Sequence, residues 1–176
     1  MANRKWRTKL KLILTETGVE IPIPSGSDLG ISQSLSVLSQ AGSGRRSVNG
    51  VRISRKNTLF QKYISNISGN DNLPIALAGL WPEDLVTVHS VAILPQRPST
   101  STQTTLIRPP VSDSVYAVDE NGNLVTVSVS GSVVTHSSSV KTIFFRPILN
   151  CAIVSLDTDR DDDSANVSWS LNLEEV

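Results

Sequence analysis

The 176-residue sequence has one cysteine, one methionine and two histidines. A single cysteine excludes an internal disulfide framework and a zinc site built from thiolates. Cys151 lies in an apolar run, residues 150–154, where we expect a buried and inert thiol. No uncharged apolar run approaches the ~18 residues that cross a bilayer, and the N-terminus lacks the apolar stretch of a signal peptide. We therefore expect a soluble protein that is made in the cytoplasm and does not enter a membrane.

Charged residues (18%) and aromatic residues (5%) are also scarce. Hydroxyl side chains take their place, since 26 Ser and 13 Thr make 39 of the 176 residues. Ser and Thr suit turns and strand faces, whereas they are mediocre in helix interiors. The composition therefore excludes a long helical bundle and a coiled coil.

Alternation of apolar and polar residues is the dominant pattern, and a period of two is typical of half-buried strands. It is clearest near the C-terminus, where Val167, Trp169, Leu171 and Leu173 alternate with polar residues. Residues 85–94 form a second, ten-residue strand candidate. Evidence for helix is thin and is confined to residues 54–64.

Turn residues agree with a β protein. Asn49-Gly50 stands between two short apolar-polar runs and is a strong hairpin signal. A second glycine turn, at 119–123, lies within residues 113–136, which read as a small three-stranded meander that projects from the main body. Residues 21–27 and 95–105 are expected to be extended arms or long loops, because the first is rich in proline and the second has little to bury.

We therefore predict an all-β fold, an antiparallel β-sandwich or β-barrel with extended arms and an inserted β-meander. A single β domain is expected over residues 1–176. Residues 95–140 are expected to be an insertion that combines the low-complexity loop with the meander.

The sequence offers no catalytic constellation. His89 is expected mid-strand on the face opposite Val88, and His136 is expected at the surface at a strand end. No Ser has the spacing of a nucleophile elbow, and the glycine spacing fits no phosphate-binding loop. We predict a protein that is not an enzyme and has no cofactor. Trp81, which precedes a strand, is expected to cap the core.

The acidic segment 157–163 is the one candidate for a metal site. Asp157, Asp159 and Asp161 match the start of a calcium loop, but Asp162 stands where the loop needs Gly, and Ser168 stands where it needs a bidentate Glu. A solvated hairpin tip is the simpler interpretation, with a weak calcium site of another type as the alternative.

The net charge of zero conceals an uneven distribution. Residues 1–62 carry 11 basic and 3 acidic groups, a balance of +8, and residues 63–176 carry 5 and 13, a balance of −8. Either folding interleaves the two halves and the split has no meaning, or the molecule has two poles. Two poles would allow copies to dock head to tail, or the positive pole to face nucleic acid.

Basic residues are densest in an N-terminal arm made of Arg4, Lys5, Arg7, Lys9 and Lys11. Such an arm is suited to follow a phosphate backbone. Alternating charges on an edge strand also discourage unwanted strand pairing, without any nucleic acid. We favour the structural role and keep a weak contact with DNA as the alternative.

Several segments, in their order along the chain, resemble small virion structural proteins of tailed bacteriophages. The segments are RRSVNG (45–50), FQKY (60–63), ISG (67–69), GLWP (79–82), VTV (86–88), FRP (145–147) and VSWSLNLEE (167–175). The resemblance implies a part of the virion that works in repeated copies and has no catalytic residues. Its expected partners are copies of itself, in a homo-oligomeric ring, and other virion proteins.

Three functions are therefore kept open. The first is a non-enzymatic virion protein of the tail, neck or baseplate. The second is a capsid decoration protein that clamps neighbouring shell subunits. The third, from another class, is a carbohydrate-binding module that uses Trp81 or Tyr116 as a platform for a sugar ring.

Overall fold

The computed structural model describes residues 9–24, 30–38, 45–53, 61–71, 75–160 and 166–176. This part of the chain forms antiparallel strands and no helix, which confirms the predicted β-sandwich-like all-β class. The strands are β1 (Lys11–Leu14), β2 (Ser32–Val37), β3 (Arg45–Arg46), β4 (Arg52–Ile53), β5 (Tyr63–Asp71), β6 (Leu85–His89), β7 (Leu94–Gln96), β8 (Gln103–Thr105), β9 (Tyr116–Val118), β10 (Leu124–Val125), β11 (Ser128–Ser130), β12 (Val133–Thr135), β13 (Thr142–Phe145), β14 (Ile148–Arg160) and β15 (Val167–Glu175).

The chain divides into two compact units. Among the described residues, the first unit lies within 22–85 and 151–176, and the second lies within 9–21 and 86–150. The predicted insertion, 95–140, falls inside the second unit. The expectation of a single domain over residues 1–176 stays a prediction.

In the first unit, β14, β15, β5 and β2 form, in this order, an antiparallel sheet. The predicted C-terminal strand is confirmed, because the buried and less buried residues of β15 alternate along its whole length. The register between β14 and β15 shifts between Ile153 and Ser155, which marks a β-bulge. Beyond the bulge, Leu156 and Thr158 stand opposite Leu171 and Trp169.

A close contact between two strands of this sheet depends on a missing side chain. Gly69 on β5 pairs directly with Trp169 on β15. A Cβ atom built on Gly69 would lie 2.5 Å from the indole ring, so the ring occupies the space of the absent side chain. Trp169 is buried, and its indole N–H has no hydrogen-bond partner in the described part of the chain. Packing, and not a hydrogen bond, therefore holds the ring in place.

The hairpin predicted at Asn49-Gly50 is confirmed as β3 and β4. The Ser47 amide donates to the Val51 carbonyl, and the Gly50 amide donates to the Ser47 carbonyl, each at 2.8 Å. Gly50 has a φ of +78°, which favours glycine at this turn position. The loop therefore has three residues, Val48 to Gly50.

The second unit has its own apolar core. Its members are Leu106, Ala117, Val134, Val140, Ile143 and Phe145. Strands β10, β9, β13 and β7 form one sheet over it, and β11, β12 and β8 form another. The predicted meander over 113–136 is wrong in its topology, because the strand expected at 124–129 is interrupted and its two ends join different sheets. Ala117 and Val134 of this region are fully buried in the core of the second unit, and the projection of the region from the main body stays a prediction.

Two other boundaries differ from the sequence prediction. The ten-residue strand expected at 85–94 ends at His89, where the chain turns and the Ser90 amide donates to the Pro147 carbonyl. Residues 95–105 are not an extended arm. They contain the end of β7, a turn in which Thr100 bonds Gln103, and the whole of β8.

The helix proposed for residues 54–64 is wrong at its C-terminal end. Tyr63 and Ile64 begin β5, which is paired on both sides, with β15 and with β2. Two strand partners satisfy the backbone groups that a helix would satisfy internally. Residues 54–60 lie outside the described residues.

We predict that Gly69→Ala destabilises the protein by about 2 kcal/mol, because the new methyl group overpacks against the Trp169 ring. Chemical denaturation measures the change. Ser68→Ala, on the exposed opposite face of the same strand, is the matched control and should change stability by less than about 0.5 kcal/mol. In a Trp169→Leu background the cost of Gly69→Ala should largely disappear. An equal cost in both backgrounds would contradict this account.

Candidate functional site

A concave site in the first unit is built on the loop that precedes β6. Trp81, Pro82, Glu83 and Asp84 form a turn in which the Asp84 carboxylate accepts the Trp81 amide at 2.7 Å, and the Asp84 amide donates to the Trp81 carbonyl at 3.1 Å. The Glu83 amide donates to the Ile153 carbonyl at 2.8 Å, which ties the turn to the sheet. The turn is therefore fixed at both ends.

The turn stores backbone strain. Glu83 has a φ of +78°, which is uncommon for a residue with a side chain. Residues in such conformations persist when their surroundings hold them, and they cluster at functional sites. Here the surroundings are the hydrogen bonds described above. The strained Glu83 therefore indicates that the turn carrying Trp81 is a candidate functional segment.

A cleft of about 430 Å³ lies beside the turn. Its lining combines aliphatic side chains with a polar end. The lining residues are Ile75, Leu77, Ala78, Gly79, Leu80, Trp81, Leu156, Thr158, Asp159, Arg160 and Val167. A mostly apolar cleft with a few converging polar groups is the usual form of a small-ligand site.

Trp81 does not cap the core, so the sequence prediction for this residue is wrong. Its side chain is 72% exposed, while Ile75 and Leu77 occupy the buried positions of the same loop. Pro82 and the bond to Asp84 fix the turn so that the indole ring points into solvent at the cleft. A large apolar side chain held in water by a rigid turn is suited to contact a ligand.

Tyr116, the other proposed sugar platform, is less accessible. Its ring stacks on Phe144 with the centroids 5.0 Å apart and the planes at 15°. Because one face of the Tyr116 ring is occupied, Trp81 is the better candidate. Sequence reasoning named Trp81 but missed Thr158 and Arg160, which the cleft adds at the far end of β14.

A second, polar groove of about 330 Å³ lies on the sheet of the first unit. Asp157 and Asp159 border it together with serines of the neighbouring strands. The Ser170 hydroxyl donates to Asp157 at 3.4 Å. Both carboxylates are exposed, which agrees with the interpretation of a solvated hairpin end.

The alternative of a calcium site gains no support in the described part of the chain. Asp161, Asp162 and Asp163 lie outside the described residues. Among the residues that are described, no group of three or more His, Cys, Asp or Glu side chains is placed to hold a metal ion.

The predicted basic arm is described only in part. Arg4, Lys5 and Arg7 lie outside the described residues. Lys9 and Lys11 are exposed, and Lys11 forms an ion pair with Glu20 at 3.6 Å. Lys11 lies on β1, where it stands opposite His89. A contact between the arm and DNA stays a prediction.

His136 is not at the surface, and the sequence prediction for it is wrong. The side chain is buried, with both ring nitrogens bonded at 2.9 Å, Nε2 to the Thr104 hydroxyl and Nδ1 to the Ser137 carbonyl. A carbonyl only accepts, so Nδ1 carries a proton and donates to Ser137, while Nε2 is bonded to the Thr104 hydroxyl. The Ser99 amide donates in turn to the Thr104 hydroxyl at 3.0 Å. This network connects the loop before β8 to the end of β12.

His89 is the last residue of β6, so its predicted mid-strand position is wrong, whereas Cys151 is buried as expected. His89 lies on the half-buried face of β6 opposite Val88, and burial lowers its pKa, with further lowering by the positive charges of Lys11 and Arg146 against an opposing effect of Glu20. Cys151 is buried, and burial together with the negative charge of Glu175 raises the pKa of its thiol to about 12. The thiol therefore stays protonated at neutral pH and is a poor nucleophile.

Comparison with known proteins finds no family model, no curated protein and no solved structure that matches this chain. In the part of the chain that is described, no helix has the length and apolar character needed to cross a membrane.

We predict that Thr104→Val lowers the free energy of unfolding by about 2 kcal/mol, because it leaves the buried His136 Nε2 without a partner and removes the acceptor of the Ser99 amide. Denaturant titration gives the value. Thr105→Val, at the exposed next position of β8, is the control and should cost less than about 0.5 kcal/mol. If the two substitutions cost the same, the buried network is not a source of stability.

Proposed function

We propose that this chain is a non-enzymatic structural protein of a tailed-phage virion, which assembles as repeated copies in the tail, neck or baseplate. The resemblance of the turn and strand segments to such proteins supports this function. The observation that carries it furthest is the β3–β4 hairpin. Val48 at its tip is fully exposed, and Val51 is 65% exposed.

Contact with a neighbouring subunit would stabilise the β3–β4 hairpin. It forms a two-stranded sheet of its own, and no other described strand pairs with it. Isolated two-stranded hairpins are marginally stable in water. Exposed valines at the tip would gain about 1.5 kcal/mol or more each if a neighbouring subunit buried them. Repeated copies in a virion supply such a neighbour.

Capsid decoration is the alternative within the same setting. In that case the exposed hairpin would contact the shell, and copies would lie on the head. Antibody labelling of virions by electron microscopy separates the two locations. Label on the tail, neck or baseplate supports the first function, and label confined to the head surface supports decoration.

We predict that Val48→Asp prevents assembly of the purified protein into rings, because a carboxylate at the tip opposes burial of the hairpin. Negative-stain electron microscopy and sedimentation velocity measure ring formation. Asn49→Asp adds the same charge one residue away and should retain more assembly, and both variants should keep the far-ultraviolet spectrum of the wild type. Rings that survive Val48→Asp would contradict a role for the hairpin tip.

A carbohydrate-binding module is a second candidate, and the exposed Trp81 beside the cleft specifically favours it. An indole face packs against the C–H groups of a sugar ring, while Thr158, Asp159 and Arg160 are able to bond its hydroxyls. This function is compatible with a place at the virion surface.

We predict for this candidate that Trp81→Ala abolishes retention on a glycan array, because the platform is removed. The exposed side chain contributes little to folding, so stability should change by less than about 0.5 kcal/mol. Tyr116→Ala is the control and should leave glycan retention unchanged. An array on which the wild-type protein retains no glycan excludes this candidate.

A further inference from the structure

The outer edge of β2 lacks the features that usually protect the edge of a sheet. Its sequence, Ser32 to Val37, has no charge and no proline, and its pairing with β5 is continuous, without a bulge. Among the described residues, no strand pairs with β2 on the side away from β5. Natural sheet edges are normally protected by charges, prolines, bulges or a covering segment.

Another edge in the same protein shows such protection. β1 carries the charged Lys11, and the chain returns along it, with an isolated bridge between Ile13 and Glu20 and a bond from the Ile21 amide to the Leu12 carbonyl at 2.8 Å. The β7 strand contains Pro95. β1 and β7 therefore carry protective features that β2 lacks.

The hydrogen-bond pattern identifies the backbone groups that point outward from β2. The Leu38 amide donates to the Lys62 carbonyl at 2.8 Å, next to the last pair of the β2–β5 ladder. Because backbone groups alternate between the two sides of an antiparallel strand, those of Ser34 and Ser36 face β5. The amide and carbonyl groups of Leu35 and Val37 therefore face the open edge.

The side chains of the same two residues leave apolar surface uncovered. Leu35 and Val37 lie on the face of the sheet that carries the buried Ser65 and Ile67. Leu35 is half-buried, and Val37 is 62% exposed. The apolar layer therefore continues to the edge strand, and no further strand of the described residues covers it there.

We infer that β2 pairs with β2 of a second copy of this chain, antiparallel and around a two-fold axis at Ser36. In this register Leu35 stands opposite Val37 of the second copy, and Val37 stands opposite its Leu35. The outward amide and carbonyl groups of both residues make four hydrogen bonds across the axis. Each exposed Val37 packs beside a Leu35.

A second copy fits this edge because the strand is complementary to itself. Like charges directly opposite each other oppose pairing, and β2 has none, so two copies meet without that cost. The inference rests on the proposed function in one respect, the use of repeated copies. An isologous contact of this kind closes at two copies, so the β3–β4 hairpin would supply the different contact needed for a ring.

Val37→Lys tests the contact. The wild-type protein at about 100 μM should sediment as a dimer or larger species, and Val37→Lys should shift it towards the monomer by about tenfold or more in dissociation constant. Val19→Lys, at another exposed valine (58%), is the matched control and should leave association unchanged. A monomeric wild-type protein at this concentration, or equal association of both variants, would overturn the inference.

A disulfide test determines the register. Ser36 stands opposite its own copy in a pair without direct hydrogen bonds, where Cα atoms are about 4.5 Å apart and a disulfide is able to form. Ser36→Cys should therefore form a covalent dimer under mild oxidation about tenfold faster than Ser34→Cys, whose partner cysteine would lie about four residues away along the strand. Equal rates would rule out this register.

The two proposals fail in different ways. If Val37→Lys is monomeric in solution yet enters virions normally, the β2 contact is not the one used and the virion function stands. If Ser36→Cys forms the covalent dimer but antibody against the protein labels no part of a virion, the contact stands and the virion function is lost.

Discussion

The packing of the Trp169 ring over Gly69 is the contact on which the sheet of the first unit depends. The largest side chain of β15 is buried because the residue opposite it on β5 has none. Ile67 and Leu171 are buried beside the ring and belong to the same apolar layer. Protein interiors are packed as densely as organic crystals, so this space has no tolerance for an added methyl group. The rigid sheet that results is what holds the turn of Trp81 and presents the edge of β2.

Function in this protein is to be sought in its surfaces. Large apolar side chains are exposed at many of the described positions, and the proposals concern three settings among them: the tip of a hairpin, a strained turn beside a cleft and the last strand of a sheet. Exposed apolar groups fixed by a rigid backbone bind with a smaller loss of conformational entropy than flexible ones. Two titratable side chains, those of His136 and Cys151, are in contrast buried. His136 is bonded on both ring nitrogens, and burial raises the pKa of the Cys151 thiol so that it stays protonated.

The sequence pattern correctly predicted the elements that depend only on residues close together in the chain. The alternation of β15 and the glycine of the β3–β4 hairpin are properties of a few neighbouring residues, and both predictions are confirmed. The errors concern positions that distant residues decide. His136 is buried because Thr104 reaches it from another strand, and Tyr63 joins a strand because β15 and β2 pair with it. Trp81 was predicted to cap the core, but its exposure depends on bonds between its turn and β14, which the sequence does not reveal.

The irregularity between Ile153 and Ser155 decides which way the acidic end of β14 faces. Counted strictly by twos from Cys151 and Ile153, Asp157 and Asp159 would point to the interior beside Trp169. The extra residue reverses the count, so that Leu156 and Thr158 lie on the same face of the sheet as Leu171 and Trp169, and the two exposed carboxylates lie on the other face. With no inserted residue, or with two, Asp157 and Asp159 would face the interior. The one inserted residue places both carboxylates in water. A single backbone irregularity thus sets the electrostatic character of a whole face of the sheet.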